Sequence, residues 1–274
     1  MDVPSYRLGA YAEFDAGELA PYVQALWIHA ARPDDPLSEH RVVPDHALSI
    51  AFSCRRDGRG MVSEPQLLLI GPVRTPRITV REPGTELVAV RFHPEWSRRL
   101  LDVSPGEHPD AIIELAEVTG AVGASLHEQL AESRSPIEAL RMLKAGAGRV
   151  AARLREPGGS DAAVVRAAEA LRRSRGRAGV EALAGFVGLS SRHLRRAFTS
   201  AVGMSPKAAA RRIRFHRVLA ATDCVRSVDW ADTALRFGYS DQAHMIHEFT
   251  AFTGFTPAAL HRERFAESDS SNLS

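Results

Sequence analysis

Between about residues 42 and 92, apolar residues come in short runs or alternate with polar ones. The runs are Ala47-Leu48-Ser49-Ile50-Ala51-Phe52, Leu67-Leu68-Leu69-Ile70, Arg77-Ile78-Thr79-Val80 and Leu87-Val88-Ala89-Val90-Arg91-Phe92. Gly71-Pro72, Pro76 and Pro83-Gly84 break them as turns. Short strands at this spacing, with no helix between them, predict an antiparallel barrel or sandwich. After His93-Pro94 the period lengthens to that of a helix. Residues 96–101, 112–118, 122–131 and 136–154 read as helices, the last opened by Ser135 as N-cap with Pro136 at the first helical position. Leu140, Leu143, Val150 and Leu154 form an apolar stripe on it, which packs on the barrel or on a second subunit, the intramolecular reading being the stronger. Residues 156–160, Glu-Pro-Gly-Gly-Ser, read as a linker. Asp161 is expected to cap a helix from Ala162 to about Ser174, the chain then stays helical to about Phe265, and residues 267–274 read as a loose polar tail.

Within the helical half a pattern occurs twice. Gly188-Leu189-Ser190-Ser191, followed by Leu194, Phe198, Gly203, Ser205 and Pro206, returns as Gly238-Tyr239-Ser240-Asp241, followed by Met245, Phe249, Gly254, Thr256 and Pro257. The four turn residues are offset by fifty and everything after them by fifty-one, so the second copy carries one extra residue just after its turn. Each copy reads as a short helix, a glycine turn and a second helix, with Ser190 and Ser240 as the expected caps. Two such units side by side are a DNA-reading architecture.

On the second helix of the first copy, Leu194, Ala197 and Phe198 share one side, while Arg192, Arg195 and Arg196 fall on the other. The apolar side must be buried, which leaves the guanidinium groups outside, where arginine pairs bidentately with guanine O6 and N7. In the second copy Met245, Phe249 and Phe252 are the expected buried residues. The opposite side carries Ala243 and His247, with His244 at its edge and Gln242 near the N-terminal end. Gln and His read bases or phosphates less forcefully than three arginines, so the first copy should dominate affinity and specificity. Residues 206–221 read as one connecting helix bearing Lys207, Arg211, Arg212, Arg214 and Arg217. It would hold the two readers at the spacing of successive major grooves, about 34 Å, with some of its cations on phosphates.

Charge follows the same division. Up to Gly158 the chain has 18 basic and 22 acidic residues, and beyond it 17 and 11. Across residues 182–222 there are eight Arg or Lys and no Asp or Glu. A regulatory part joined to a polyanion-binding part fits this asymmetry. The length of 274 residues suffices for two cores. Cys54 and Cys224 are too few for a disulfide framework, and no apolar run is long enough to span a bilayer. With no signal-like opening, a reducing, cytoplasmic location without a membrane partner is the expectation.

The second copy, from Ala234 through Gly238-Tyr239-Ser240-Asp241-Gln242 to Phe249, Gly254 and Thr256-Pro257, closely resembles the signature of the AraC/XylS family of bacterial transcription regulators, and the first copy matches its companion motif. The resemblance spans about residues 160–264. It implies an α+β chain: an N-terminal cupin-like antiparallel β-barrel with helices (residues 1–157, sensing or dimerising), then a C-terminal all-α domain of two helix-turn-helix units joined by a linker helix (residues 160–265). By position it implies base contacts from Arg192, Arg195, Arg196, Gln242, His244 and His247. Backbone contacts would come from Ser190, Ser191, Lys207, Arg211, Arg214 and Ser240. His247 stands where members usually have arginine or lysine, and Ala209 where the connecting helix usually has a large aromatic. Double-stranded DNA is the implied partner; a small organic effector, RNA polymerase and a second copy of the chain are further partners of such a regulator.

Other chemistry is thinly supported. The cupin metal pattern needs His-x-His, which this chain lacks. His40, His46 and His93 could meet at a barrel mouth, but surface or satisfied core histidines are the simpler reading. His244 and His247 lack a third ligand at a suggestive spacing, and zinc generally needs three or four. No cofactor is expected. An enzyme carried by a DNA module, such as an alkyl-damage repair protein, would need a zinc-bound cysteine cluster that two isolated cysteines cannot make; a barrel with a vestigial DNA module is the remaining alternative.

Overall fold

The computed structural model describes residues 6–8, 11–35, 38–223 and 225–272. Two compact units emerge, one within residues 1–42 and 46–155, the other formed by residues 43–45 and 156–274. Cys224 lies outside the described residues.

In the first unit the strands β1 (Tyr6–Leu8), β2 (Tyr11–Phe14), β3 (Val23–Ala30), β4 (Ser38–Val42), β5 (Ser49–Arg56), β6 (Val62–Ile70), β7 (Arg77–Arg81), β8 (Thr85–Phe92) and β9 (Ile112–Glu114) are interleaved with helices α1 (Pro94–Leu101), α2 (Leu115–Thr119), α3 (Ala121–Ala131) and α4 (Pro136–Ala151). Seven strands form one antiparallel sheet in the order β1-β2-β3-β8-β5-β6-β9, and β4 pairs with β7 in a separate ribbon. Among the described residues no ladder joins β1 to β9; the antiparallel architecture is as expected. Residues 112–118, expected as helix, divide into edge strand β9 and short helix α2, because Ile112, Ile113 and Glu114 complete the free edge of β6. The strands before residue 38 had no counterpart in the sequence reading.

The central strands β3, β5 and β8 are buried on both faces, with Trp27, Ala51 and Ala89 forming a small cluster on one of them. Leu26, Val88, Val90, Ile50, Phe52, Leu67 and Leu69 are buried, and α4 lies against β3 and β8. The stripe on α4 thus packs within its own unit: Leu140 and Leu143 are buried, Val150 and Leu154 half-buried. Ser135 caps α4 as expected, its hydroxyl accepting from the Glu138 amide at 3.2 Å.

The second unit is helical: α5 (Gly159–Arg173), α6 (Val180–Val187), α7 (Ser191–Val202), α8 (Pro206–Thr222), α9 (Trp230–Phe237), α10 (Gln242–Thr253) and α11 (Pro257–Asn272). Helix α5 starts at Gly159 with Gly158 as its N-cap, so Asp161 sits in its first turn and the expected linker is shorter by two residues. Helix α11 runs past Phe265 to Asn272, where a loose tail was expected. Val43 packs against the core around Phe215, and the His216 ring nitrogen Nε2 lies 3.1 Å from the Pro44 carbonyl oxygen. No described helix is long and apolar enough to cross a membrane.

Candidate nucleic-acid interface

Both repeat copies fold as bundles with their own cores. In the first, Val164, Ala167 and Leu171 of α5 meet Leu183 and Ala184 of α6 and Leu194, Phe198 and Val202 of α7. In the second, Phe215, Val218 and Leu219 of α8 meet Ala234 and Phe237 of α9, Met245 and Phe249 of α10 and Leu260 of α11. Helix α8 serves both, burying Ala210 in the first core and Phe215 in the second. Its 17 residues form a rod of about 25 Å, so the two bundles are joined by a rigid element.

The turns follow from local chemistry. Gly188 and Gly238 have φ of +74° and +88°, a region costly for residues with a Cβ, and each ends the first helix of its copy. Ser190 caps α7, its hydroxyl accepting from the His193 amide at 3.2 Å. Ser240 does not cap α10: Asp241 does, its carboxylate accepting from the His244 amide at 2.7 Å. The extra residue of the second copy moves the cap by one. That amide bond, with a second from the Ser240 hydroxyl at 3.0 Å, holds the Asp241 carboxyl below its usual value.

On α7, Arg192, Arg195 and Arg196 are all exposed while Leu194 and Phe198 are buried. Arg195 has one weak partner, Glu181 at 3.5 Å, with both side chains more than half exposed, a pair of little energetic weight. Ser191 is half-buried and Lys207, at the start of α8, is exposed. On α10, Gln242, Ala243 and His247 are exposed.

His244, Arg211 and Arg214 are turned to a different use. Glu248 of α10 is buried at 3% exposure, and its Oε1 accepts from Arg211 Nε at 2.7 Å and Arg214 at 3.5 Å, with His244 Nε2 at 3.3 Å. The other ring nitrogen of His244 lies 3.1 Å from the Ser240 hydroxyl. Arg214 also donates to the Gly176 carbonyl at 2.8 Å and lies over the Tyr239 ring, whose phenol is raised by burial. Arg211 and Arg212 both stack on Phe252. Burial pushes the Arg212 guanidinium down to about 10, opposed by the nearby Asp45. Helix α8, expected to offer its cations to phosphates, therefore spends Arg211 and Arg214 on Glu248, a residue the sequence reading had not singled out. An acid at the fourth position after His244 was the one available signal.

Among the described residues no group of three His, Cys, Asp or Glu is arranged to hold a metal ion. His93 Nε2 lies 3.2 Å from the Ala20 carbonyl oxygen. The His40 side chain lies outside the described residues. In the first unit a cavity of about 520 Å³ is lined by Pro33, Arg55, Arg56, Glu82, Pro83 and Gly84, and one of about 480 Å³ by residues including Ser53, Cys54, Gln66 and Thr85. Arg55 borders both and is already engaged by Glu64, Glu82 and the Pro83 carbonyl. On the sheet, Trp27 is buried with its indole N–H lacking a hydrogen-bond partner, between Tyr11 at 5.6 Å and Arg91 at 5.9 Å.

A family model described as a helix-turn-helix domain matches residues 183–263, the stretch that holds α7, α8, α9 and α10. The C-terminal unit carries an AraC-type helix-turn-helix domain. DNA binding for transcription regulation is the role of this AraC-type domain. A second family model, a domain of unknown function (DUF6597), matches residues 16–114. No curated protein matches the chain. Among solved structures, ToxT from Vibrio cholerae is similar at 10% identity and a TM-score of 0.43, covering 83% of this chain and 97% of that one. ToxT from Vibrio cholerae O395 gives 9% identity and a TM-score of 0.44, covering 86% and 95%. A ToxT structure with bound unsaturated fatty acid gives 10% identity and a TM-score of 0.42, covering 85% and 93%.

Proposed function

We propose that the first helix-turn-helix unit supplies most of the base reading and the second mainly sets position. The observation that carries this is the exposure of Arg192, Arg195 and Arg196 together on α7, opposite buried Leu194 and Phe198. Three guanidinium groups on one outward face match the acceptor edges of guanine in a major groove. In the second unit Gln242 and His247 are the exposed readers, while His244, held between Ser240 and Glu248, orients the helix. Lys207, Ser190, Ser191 and Ser240 take backbone phosphates; Arg211 and Arg214 keep the recognition helix in place instead.

The N-terminal unit is the sensing or dimerising part of this reading, and a small organic effector is its ligand. The unpartnered indole N–H of Trp27, flanked by Tyr11 and Arg91, supports an acceptor-bearing ligand at that sheet face. RNA polymerase and a second copy of the chain are the protein partners, the site of action is the bacterial cytoplasm, and the protein works by binding without chemistry of its own.

Fluorescence anisotropy of the full chain against promoter fragments tests this. Binding should weaken steeply with salt and depend on sequence. An absence of binding at low salt, or affinity indifferent to salt, would overturn it.

A further inference from the structure

Four arginines gather where the two helix-turn-helix units join. Phe237, at the end of α9, has Arg217 of α8 at 4.9 Å and Arg236 at 5.7 Å from its ring centre. Arg177, from the loop between α5 and α6, donates to the Arg236 carbonyl at 2.5 Å and runs against Gly238, where a Cβ would come within 3.2 Å of its Nε. Arg175 stands two residues before it, with a left-handed φ of +59°. One guanidinium nitrogen of Arg217 is buried without a hydrogen-bond partner. Among the described residues none of the four is ion-paired. Burial, then the charges of Arg175, Arg177 and Arg236, hold the Arg217 guanidinium below its ordinary value.

Like charges gathered without a counter-charge oppose folding, and the repulsion is relieved when an anion arrives. Guanidinium forks match phosphate oxygens in shape as well as charge. The cluster also borders the Gly238 turn, which leads directly into recognition helix α10. We propose that Arg175, Arg177, Arg217 and Arg236 form a phosphate-binding site at the junction of the two units. This rests on the DNA-binding reading above if the phosphate belongs to a duplex backbone, and is independent of it if the phosphate is free.

The test compares the full chain with its Arg175→Gln/Arg236→Gln variant and with Arg149→Gln/Arg153→Gln as a charge-matched control. A duplex selected from a random pool by the unaltered chain serves as one probe and sodium tripolyphosphate as the other. The expected result is a salt slope shallower by about one to two for the cluster variant, with the wild-type ranking of single-base operator changes kept and the control unchanged. An unchanged slope, together with tripolyphosphate raising the unaltered chain's Tm but not the variant's, would assign the site to a free polyphosphate. If neither probe separates the two proteins, the proposal is overturned. If the unaltered chain binds no duplex, the DNA reading fails while the tripolyphosphate arm still decides the site. Without ligand the cluster variant should melt at or above the wild-type temperature, since repulsion has been removed. A marked fall in Tm would show that the cluster serves the fold and would also overturn the proposal.

Discussion

Replacing Glu248 with alanine should destabilise the helical unit far more than the loss of one side chain from the surface would. Its Oε1 faces Arg211 at 2.7 Å, Arg214 at 3.5 Å and His244 at 3.3 Å, and the carboxylate side chain is only 4% exposed. Each of the two arginines at such a distance is worth about 4 kcal/mol at an effective dielectric near 20. Desolvating the carboxylate costs several kcal/mol, so the intact network sits close to balance. The deletion does not, because Arg214, 13% exposed, is left without its acid. Breaking a buried pair in this way costs about 3–5 kcal/mol. For a unit of this size that corresponds to a fall in Tm of about 10–25 °C. Glu248→Gln keeps an acceptor at the same place and should cost about 1–3 kcal/mol. Calorimetric unfolding of the full chain, with a double-mutant cycle between Glu248→Ala and Arg214→Ala, measures both quantities. A loss below about 1 kcal/mol for Glu248→Ala, or strict additivity in the cycle, would refute the account of Glu248 as the anchor of α10.

Arg196→Ala should weaken operator binding by about 1–3 kcal/mol and relax preference at one base position; an equal loss for every sequence in a competition titration would reassign it to the backbone. Lys207→Ala should weaken all sites alike and lessen the salt slope by about one, read by anisotropy across salt concentrations. Phe249→Ala should cost about 3–5 kcal/mol in chemical unfolding, since Phe249 is 1% exposed and stacks edge-on to Phe215 at 4.8 Å. Burial pushes the Cys54 thiol up to about 11, with Glu86 adding to the shift. Because the folded value is raised, the stability from the protonated thiol is complete below the ordinary thiol value and is lost as pH climbs through about 11. Iodoacetamide should accordingly leave Cys54 unlabelled in the folded chain near neutral pH, which peptide mass mapping would check.

Most of the second unit was legible in the sequence because its determinants are local. Helix ends depend on caps and glycines within a few residues, and apolar faces on spacings of three and four, so Gly188, Ser190, Leu194 and Phe198 announced their roles directly. The cap of α10 was misplaced by one residue because Ser240 and Asp241 are both good caps and only the backbone path chooses between them. The first unit was less legible. Strand β3 pairs with β8 across some sixty residues, and its Val-Gln-Ala-Leu-Trp-Ile-His-Ala sequence has an apolar run that fits a buried strand or helix equally. Residues 112–118 looked helical for the same reason, until the open edge of β6 claimed the first three.

The sequence by itself determined that two helix-turn-helix bundles would form, that α7 would carry three arginines opposite an apolar face, and that no acid would interrupt the basic stretch of residues 182–222. Only the tertiary structure decided which cations remain outside. Arg192, Arg195 and Arg196 stay exposed because nothing packs over them, whereas Arg211 and Arg214 are drawn to Glu248 from more than thirty residues away. A charge on a helix bears no mark of its eventual partner. Coulomb attraction acts through space, and the distances it depends on exist only once the chain has folded.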